Sequence, residues 1–227
     1  MENARPLSSR LSRPEPITWV FAGDSITQGS VHLLEFRNYV QLFEERIRTE
    51  LKRPLDAVIN TAIGGWTLAQ ILQQETHLIS RFHPTVFSIC IGMNDAAHVA
   101  LGELDAWETS YSQLLQRLRK AGTEHLVLHT LPSVDVASMR PMAQKRLNAP
   151  HFSAVIRRLA KTHGAVLIDH EQFWNKRAEA NDRATLFSQS DTIHPNTYGH
   201  RMMFECLCRH LEIWDSTSPL GRLFQFY

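Results

Sequence analysis

A chain of 227 residues, 43% hydrophobic and 21% charged, has the length and balance of one globular domain with a sizeable core. Its 24 Lys and Arg stand against 23 Asp and Glu, a net charge of +1, which gives no bulk attraction to nucleic acid or to an anionic membrane. No uninterrupted apolar run is long enough to span a bilayer.

Residues 1–16 are polar, carry three Arg and three Ser and lack an apolar h-region, so they read as a flexible, solvated leader and not as a secretion signal. From Ile17 onward, apolar β-rich runs at Ile17–Ala22, Ala57–Thr61, Val86–Ile91, His125–Leu131 and Ala165–Ile168 alternate with amphipathic stretches. Those stretches cover Asn38–Leu51, Leu68–Arg81, Leu104–Ala121, Ala149–Thr162 and Tyr198–Leu211. Runs such as Thr18-Trp19-Val20-Phe21 do not alternate polar with apolar, and so predict strands buried on both faces. In the helical stretches, Val40, Phe43, Ile47 and Leu51 share one face, as do Trp107, Tyr111, Leu114, Leu115 and Leu118. The alternation predicts an α/β domain over 17–211, a five-stranded parallel sheet with helices on both faces.

Pro132 to Pro150 holds three prolines and predicts a long surface loop overhanging the ligand-facing end of the sheet, where the site would lie. After Leu211, residues 212–227 form a tail that ends Leu223-Phe224-Gln225-Phe226-Tyr227, too apolar to stay solvated. It is expected to dock on its own domain or on a second copy, leaving monomer and homodimer both open. The three cysteines, Cys90, Cys206 and Cys208, are odd in number, and Cys90 lies in a strand-like run. They predict no disulfide framework and a reducing, cytoplasmic setting. The Cys206/Cys208 spacing is not that of a zinc knuckle, and none of the twelve histidines has recognisable ligand spacing, so no metal is expected.

Several short segments carry chemistry. Gly23-Asp24-Ser25 closes the first strand run and puts a serine at the carboxyl edge where open α/β sheets bind ligands. Taken alone, Asp24 or Ser25 reads more readily as a helix cap. Gly64-Gly65-Trp66-Thr67 follows the second run; its glycines offer backbone N–H groups or simply a tight turn, and Trp66 is either a core aromatic or a pocket wall. Asn94, in Gly92-Met93-Asn94-Asp95 after the third run, is a potential amide donor or an ordinary turn residue. In Asp191-Thr192-Ile193-His194-Pro195 the spacing lets a carboxylate orient an imidazole. Gly-x-Ser-x-Gly, a P-loop, Gly-x-Gly-x-x-Gly and His-Glu-x-x-His are absent.

Together and in this order, the four segments resemble the sequence blocks of the SGNH, or GDSL-type, hydrolases from about Ile17 to Leu211. Ile26 stands where that family usually has Leu. The resemblance implies a flavodoxin-like three-layer α/β/α sandwich and hydrolysis of esters or thioesters without a cofactor. It implies Ser25 as nucleophile, His194 as base and Asp191 as its orienter. The oxyanion donors it implies are the Ser25 and Gly65 N–H groups and the Asn94 side chain, with Gly65 chosen over Gly64 because Thr67 then sits two residues on. Asp24 and Asp95 are expected to organise loops.

The partner expected is a small-molecule ester, with Trp66 a candidate substrate contact. A site made of loops on an open sheet favours a short-chain esterase, one that deacetylates a carbohydrate among them. The alternatives are a lysophospholipase or acyl-thioesterase with an acyl groove under 132–150, an acyltransferase using the same triad, and a non-catalytic flavodoxin-like binding domain.

Overall fold

Thr18-Trp19-Val20-Phe21-Ala22-Gly23 forms β1, buried at every residue after Thr18. A strand can hide both faces only at the centre of a covered sheet. The computed structural model, which describes residues 7–29, 32–34, 36–134, 140–180 and 191–223, puts it there. β2 (Ala57–Asn60) flanks β1 on one side; β3 (Val86–Cys90), β4 (His125–His129) and β5 (Val166–Ile168) follow on the other. Every pair is parallel and the order is β2-β1-β3-β4-β5. That order switches winding direction between β1 and β3, which opens a crevice at their carboxyl ends. Gly23 pairs in register with Cys90, so the loops bearing Ser25 and Asn94 leave the sheet side by side.

In chain order the helices are α1 (Leu7–Leu11), α2 (Ser25–Gln28), α3 (Tyr39–Glu45), α4 (Leu68–Gln73), α5 (Glu75–Leu78), α6 (Asp95–His98) and α7 (Leu104–Lys120). There follow α8 (Pro141–Gln144), α9 (Ala149–His163), α10 (His170–Ala180), α11 (Thr197–His210) and α12 (Pro219–Arg222). α3, α10 and α11 cover one face of the sheet, and α4, α7 and α9 the other. The fold is a flavodoxin-like three-layer α/β/α sandwich, as the resemblance implies.

Edge-to-face rings join layer to sheet. Phe43 of α3 lies 4.9 Å from Trp19 and 5.3 Å from Phe21 of β1. On the other face Trp107 bridges Tyr111 and Phe152 at 5.3 and 4.9 Å, locking α7 to α9. Each such pair adds about 0.5–1.5 kcal/mol beyond simple area burial. A polar thread crosses the same core: Ser88 Oγ lies 2.8 Å from His129 Nε2, and His129 Nδ1 lies 2.9 Å from His170 Nε2. Burial pushes His129 down to about 3 and His170 well below the usual imidazole range, so both rings are neutral.

The helical stretch expected over 38–51 is α-helical to Glu45 and then widens into a π turn at Arg46–Glu50. There the buried Arg46 guanidinium holds the Ile213 carbonyl at 2.6 and 2.9 Å and Glu50 Oε2 at 2.7 Å. The stretch over 68–81 divides at Gln74 into α4, α5 and a 3₁₀ turn at Ser80–Phe82, ending on a left-handed His83 ahead of Pro84. Proline disfavours helical backbone in the residue before it.

Residues 7–16 depart from the expected solvated leader. Leu7 is buried, Arg10 donates to the Glu15 and Pro16 carbonyls at 3.0 and 3.1 Å, and Arg53 donates to those of Leu11, Arg13 and Glu15. Arg10, expected in a solvated leader, and Arg53 act as clamps for backbone carbonyls that would otherwise lack donors. At the other end, Leu220 is buried and its N–H donates to Glu50 Oε1 at 2.8 Å, so α12 docks on its own domain. Phe224, Phe226 and Tyr227 of the expected tail lie outside the described residues.

Candidate active site

Gly23 ends β1 where no side chain fits: an added Cβ would collide with the Cys90 carbonyl and lie 2.6 Å from Thr27 Oγ1. Asp24 caps α2, its Oδ1 accepting from the Ile26 N–H at 3.0 Å. The chain therefore turns sharply from strand to helix, with Ser25 at the first helical position. Capping and presentation of the serine are one arrangement, not alternatives. Burial, helped by the Asp95 charge, pushes the Asp24 carboxyl up to about 7 against the opposing Ile26 N–H bond and Arg146.

Asp191 and His194 precede α11, whose first turn is capped by Asn196 Oδ1 accepting from Tyr198 and Gly199. Asp191 Oδ1 accepts from the Ile193 and His194 N–H groups at 3.2 and 2.8 Å, a side-chain-closed turn in which Thr192 takes a left-handed φ of 80°. Asp191 Oδ2 lies 2.6 Å from His194 Nδ1. Burial alone would raise the Asp191 carboxyl, but the bonds from the His194 ring and backbone outweigh it and hold it below the ordinary value. An ionised carboxylate there accepts the Nδ1 proton, leaving the Nε2 lone pair facing Ser25 Oγ at 2.8 Å.

Behind this imidazole stands a second. His32 stacks on His194 at 4.5 Å and 22°, and burial, with the neighbouring His194, pushes it down to about 4. His32 Nε2 lies 3.4 Å from His200 Nε2, and His200 Nδ1 accepts from the Tyr39 N–H at 3.2 Å.

The glycine loop runs directly beside the serine: a Cβ added at Gly64 would lie 3.6 Å from Ser25 Cβ. The Gly64 N–H donates to Gln28 Oε1 at 2.8 Å. Gly65, at a φ of +79°, has open space where a side chain would stand, and among the described residues neither its N–H nor that of Ser25 has an acceptor. Asn94 is buried; its Nδ2 donates to the Trp66 carbonyl at 3.0 Å, and its Oδ1 accepts from Arg146 Nη2 at 3.2 Å. One amide hydrogen of Asn94 is therefore uncommitted. Trp66 is only partly buried and packs against the core, so it shares the loop but not the interior. Asp95 holds the loops together, accepting from Trp107 Nε1 at 2.8 Å and from the Leu68 N–H at 3.1 Å.

The arrangement joins a serine, an imidazole and a carboxylate in one hydrogen-bonded line, with backbone and amide donors beside the serine. The profile of the GDSL-like lipase/acylhydrolase family matches residues 21–202, which span every one of these groups. The chain belongs to that family. Among solved structures, an α/β hydrolase enzyme from the metagenome of Lake Arreo, Spain, is similar at 19% identity over 88% of this chain and 97% of that one, with a TM-score of 0.72. An acetylxylan esterase from Geobacillus stearothermophilus is similar at 18% identity over 87% of this chain and 95% of that one, also with a TM-score of 0.72. Likeness at that identity speaks for the fold. An uncharacterized protein of Mycoplasma pneumoniae is 29% identical over 114 residues, 48% of this chain and 13% of that protein. The chain thus matches only a small part of that relative's length.

In this GDSL-family hydrolase, three residues of the site escape sequence reasoning. Gln28 and His32 are ordinary polar residues in the chain, and only the fold brings them to Gly64 and His194. Arg146 lies in the stretch expected to be a surface loop. Residues 141–144 form α8 instead, and Arg146 is buried against Asn94. A lone Arg ahead of an amphipathic helix carries no sequence signal for that role. Residues 135–139 of the same stretch lie outside the described ones. No helix among the described residues is long and apolar enough to cross a membrane.

Proposed function

We propose that the chain hydrolyses short-chain acyl esters, acetyl groups on carbohydrate included, through an acyl-enzyme on Ser25. The observation that carries this reading is the line from Ser25 Oγ to His194 Nε2 at 2.8 Å and from His194 Nδ1 to Asp191 Oδ2 at 2.6 Å. His194 Nε2 takes the Ser25 proton as Oγ bonds to the ester carbonyl carbon. The carbonyl oxygen becomes an oxyanion, received by the N–H groups of Ser25 and Gly65 and by the uncommitted hydrogen of the Asn94 amide. Collapse expels the alcohol, which leaves with the proton held on His194. Water then bonds to the acyl carbon and gives a proton to the same nitrogen; as the acyl–Oγ bond breaks, that proton passes to Ser25 Oγ and the carboxylic acid leaves. Asp191 keeps the ring in the tautomer this sequence needs and offsets the imidazolium charge.

Similarity to an acetylxylan esterase supports the short-acyl reading at the level of fold. A second reading has an observation of its own. Leu34 and Phe36, beyond His32, are 85% and 54% exposed, and Met142 and Leu147 beside Arg146 are 41% and 53% exposed. Exposed apolar side chains so near His32 and Arg146 in the chain favour a lipid-like ester, as a lysophospholipase or acyl-thioesterase would take. A panel of p-nitrophenyl esters from acetate to palmitate, run beside acetylated sugars and acyl-thioesters, separates the two. Acetate and acetyl-sugar turnover about tenfold or more above palmitate, a gap of about 1.4 kcal/mol in transition-state binding, supports the first. The reverse order supports the lipid-like reading. Added glycerol or sugar acceptors reveal any acyl transfer to alcohol in place of water.

A further inference from the structure

We infer that Arg146 is a positioning residue for the oxyanion hole, fixing and polarising the Asn94 amide; this rests on the serine-esterase reading above. An asparagine amide has two nearly isosteric orientations, and only one of them presents N–H to an oxyanion. Two contacts select that one here. The Trp66 carbonyl accepts from Nδ2 at 3.0 Å, and Arg146 Nη2 donates to Oδ1 at 3.2 Å. Flipping the amide would set an oxygen against the Trp66 carbonyl and an NH₂ against a guanidinium, which has no acceptor.

The guanidinium is an expensive choice for that task unless its charge is used. Arg146 is 6% exposed, its Nε–H is buried with no acceptor, and among the described residues it makes no ion pair. Its other hydrogen bonds go to the short helix α8 just before it, Nη1 donating to the Met142 carbonyl at 3.0 Å and touching Met142 Sδ at 3.8 Å. Burial pulls its pKa down, and the more distant Asp24 and Asp191 carboxylates oppose that pull. A buried, incompletely satisfied cation destabilises a fold unless a role offsets its desolvation. Against Oδ1 it has one: drawing electron density toward the amide oxygen makes the Asn94 N–H a stronger donor.

The test is a double-mutant cycle on p-nitrophenyl acetate with Arg146→Met, Arg146→Lys, Asn94→Ala and the Arg146→Met/Asn94→Ala pair. Asn94→Ala is expected to lose about a hundredfold or more in kcat. Arg146→Met is expected to lose about ten- to a hundredfold in kcat, as removal of an outer partner of a reacting group commonly does, with KM within about twofold. Arg146→Lys restores part of that loss by returning charge to Oδ1. The pair is expected to be no slower than Asn94→Ala alone, because Arg146 acts through Asn94. Multiplied losses in the pair, or a KM effect with kcat unchanged, overturn the inference. Ser25→Ala in the same series reads the serine mechanism separately. In that inactive background the Asn94 side-chain ¹⁵N–H₂ resonances report the contact without turnover: Arg146→Met shifts them, and unmoved resonances overturn the inference whatever the kinetics. If Arg146→Met does not fold, Arg146→Gln keeps a donor without the charge and is read in the same way.

Discussion

Asp191 grips His194 at two points, Oδ2 on the ring Nδ1 at 2.6 Å and Oδ1 on the backbone N–H at 2.8 Å. The carboxylate thus sets the ring's tautomer and also the backbone turn from which the ring projects. A neutral amide in its place can hold the turn, but it presents either the wrong group or a weaker acceptor to Nδ1.

Asp191→Asn should therefore keep the fold and lose turnover by a large factor, on the order of a hundredfold or more, through the imidazole alone. Because its bonds to His194 hold the Asp191 carboxyl below its ordinary value, Asp191 stays ionised across the range of about pH 5–8 in which imidazoles titrate. Its carboxylate is therefore expected to add no acid limb of its own to kcat/KM over that range, and a limb in that range traced to Asp191 would overturn this.

Ser25→Ala should cut turnover by roughly a thousandfold or more. The side chain is a loop-end hydroxyl whose hydrogen bond goes to His194, so the melting temperature should change little. A folded variant with near wild-type rates ends the nucleophile assignment.

Asp24 makes a different kind of prediction. Burial first, with the Asp95 charge adding to it, lifts its carboxyl from 3.8 to about 7. The folded chain then holds a proton that the unfolded chain has released, so the stability from this group is full below about pH 4 and is lost as pH rises through about 7. Asp24→Asn keeps an acceptor for the Ile26 N–H but cannot ionise. Thermal melts at about pH 4.5, 6 and 7.5 should show the variant gaining on the wild type as pH rises, in step with that proton release. Parallel curves would mean that Asp24 ionises normally in the fold.

Leu220→Ala tests the docking of α12. Leu220 is 2% exposed, and truncating a buried leucine typically costs about 2–5 kcal/mol. The melting temperature should fall by several degrees while the pH profile of the remaining folded enzyme keeps its shape. An unchanged melt would detach this segment from the domain's stability.

Much of this molecule was readable where one physical signal dominates. β1 and β3 need burial on both faces, which their uninterrupted apolar runs announce. Ser25 and Asn94 sit just past strand ends and His194 just ahead of a helix, in blocks of residue types whose order is informative. The rest is missing from the sequence for specific reasons. α10 has only Phe173 and Trp174 as large apolar residues, too few to mark a face. Arg10 and Arg53 look like surface charge, yet they collect backbone carbonyls that only folding brings near. The choice of Gly65 over Gly64 rested on resemblance; Gln28, engaging the Gly64 N–H across 36 residues, favours the same choice for a reason no local pattern carries. Arg146 reaches Asn94 across 52 residues in the same way.

The clamp of Arg10 and Arg53 gives the molecule a usable polarity. Arg10 meets Glu124 just before β4, and Arg53 pairs with Asp56 just before β2, so α1 is fastened at the edge of the sheet opposite the one that carries Ser25. All three native cysteines are buried, and Ser12 in the fastened segment is exposed. A thiol introduced as Ser12→Cys would be the one readily reached by a surface-bound maleimide. Coupling through it would stand the enzyme on its latched edge, with the serine facing the liquid and every immobilised copy oriented alike.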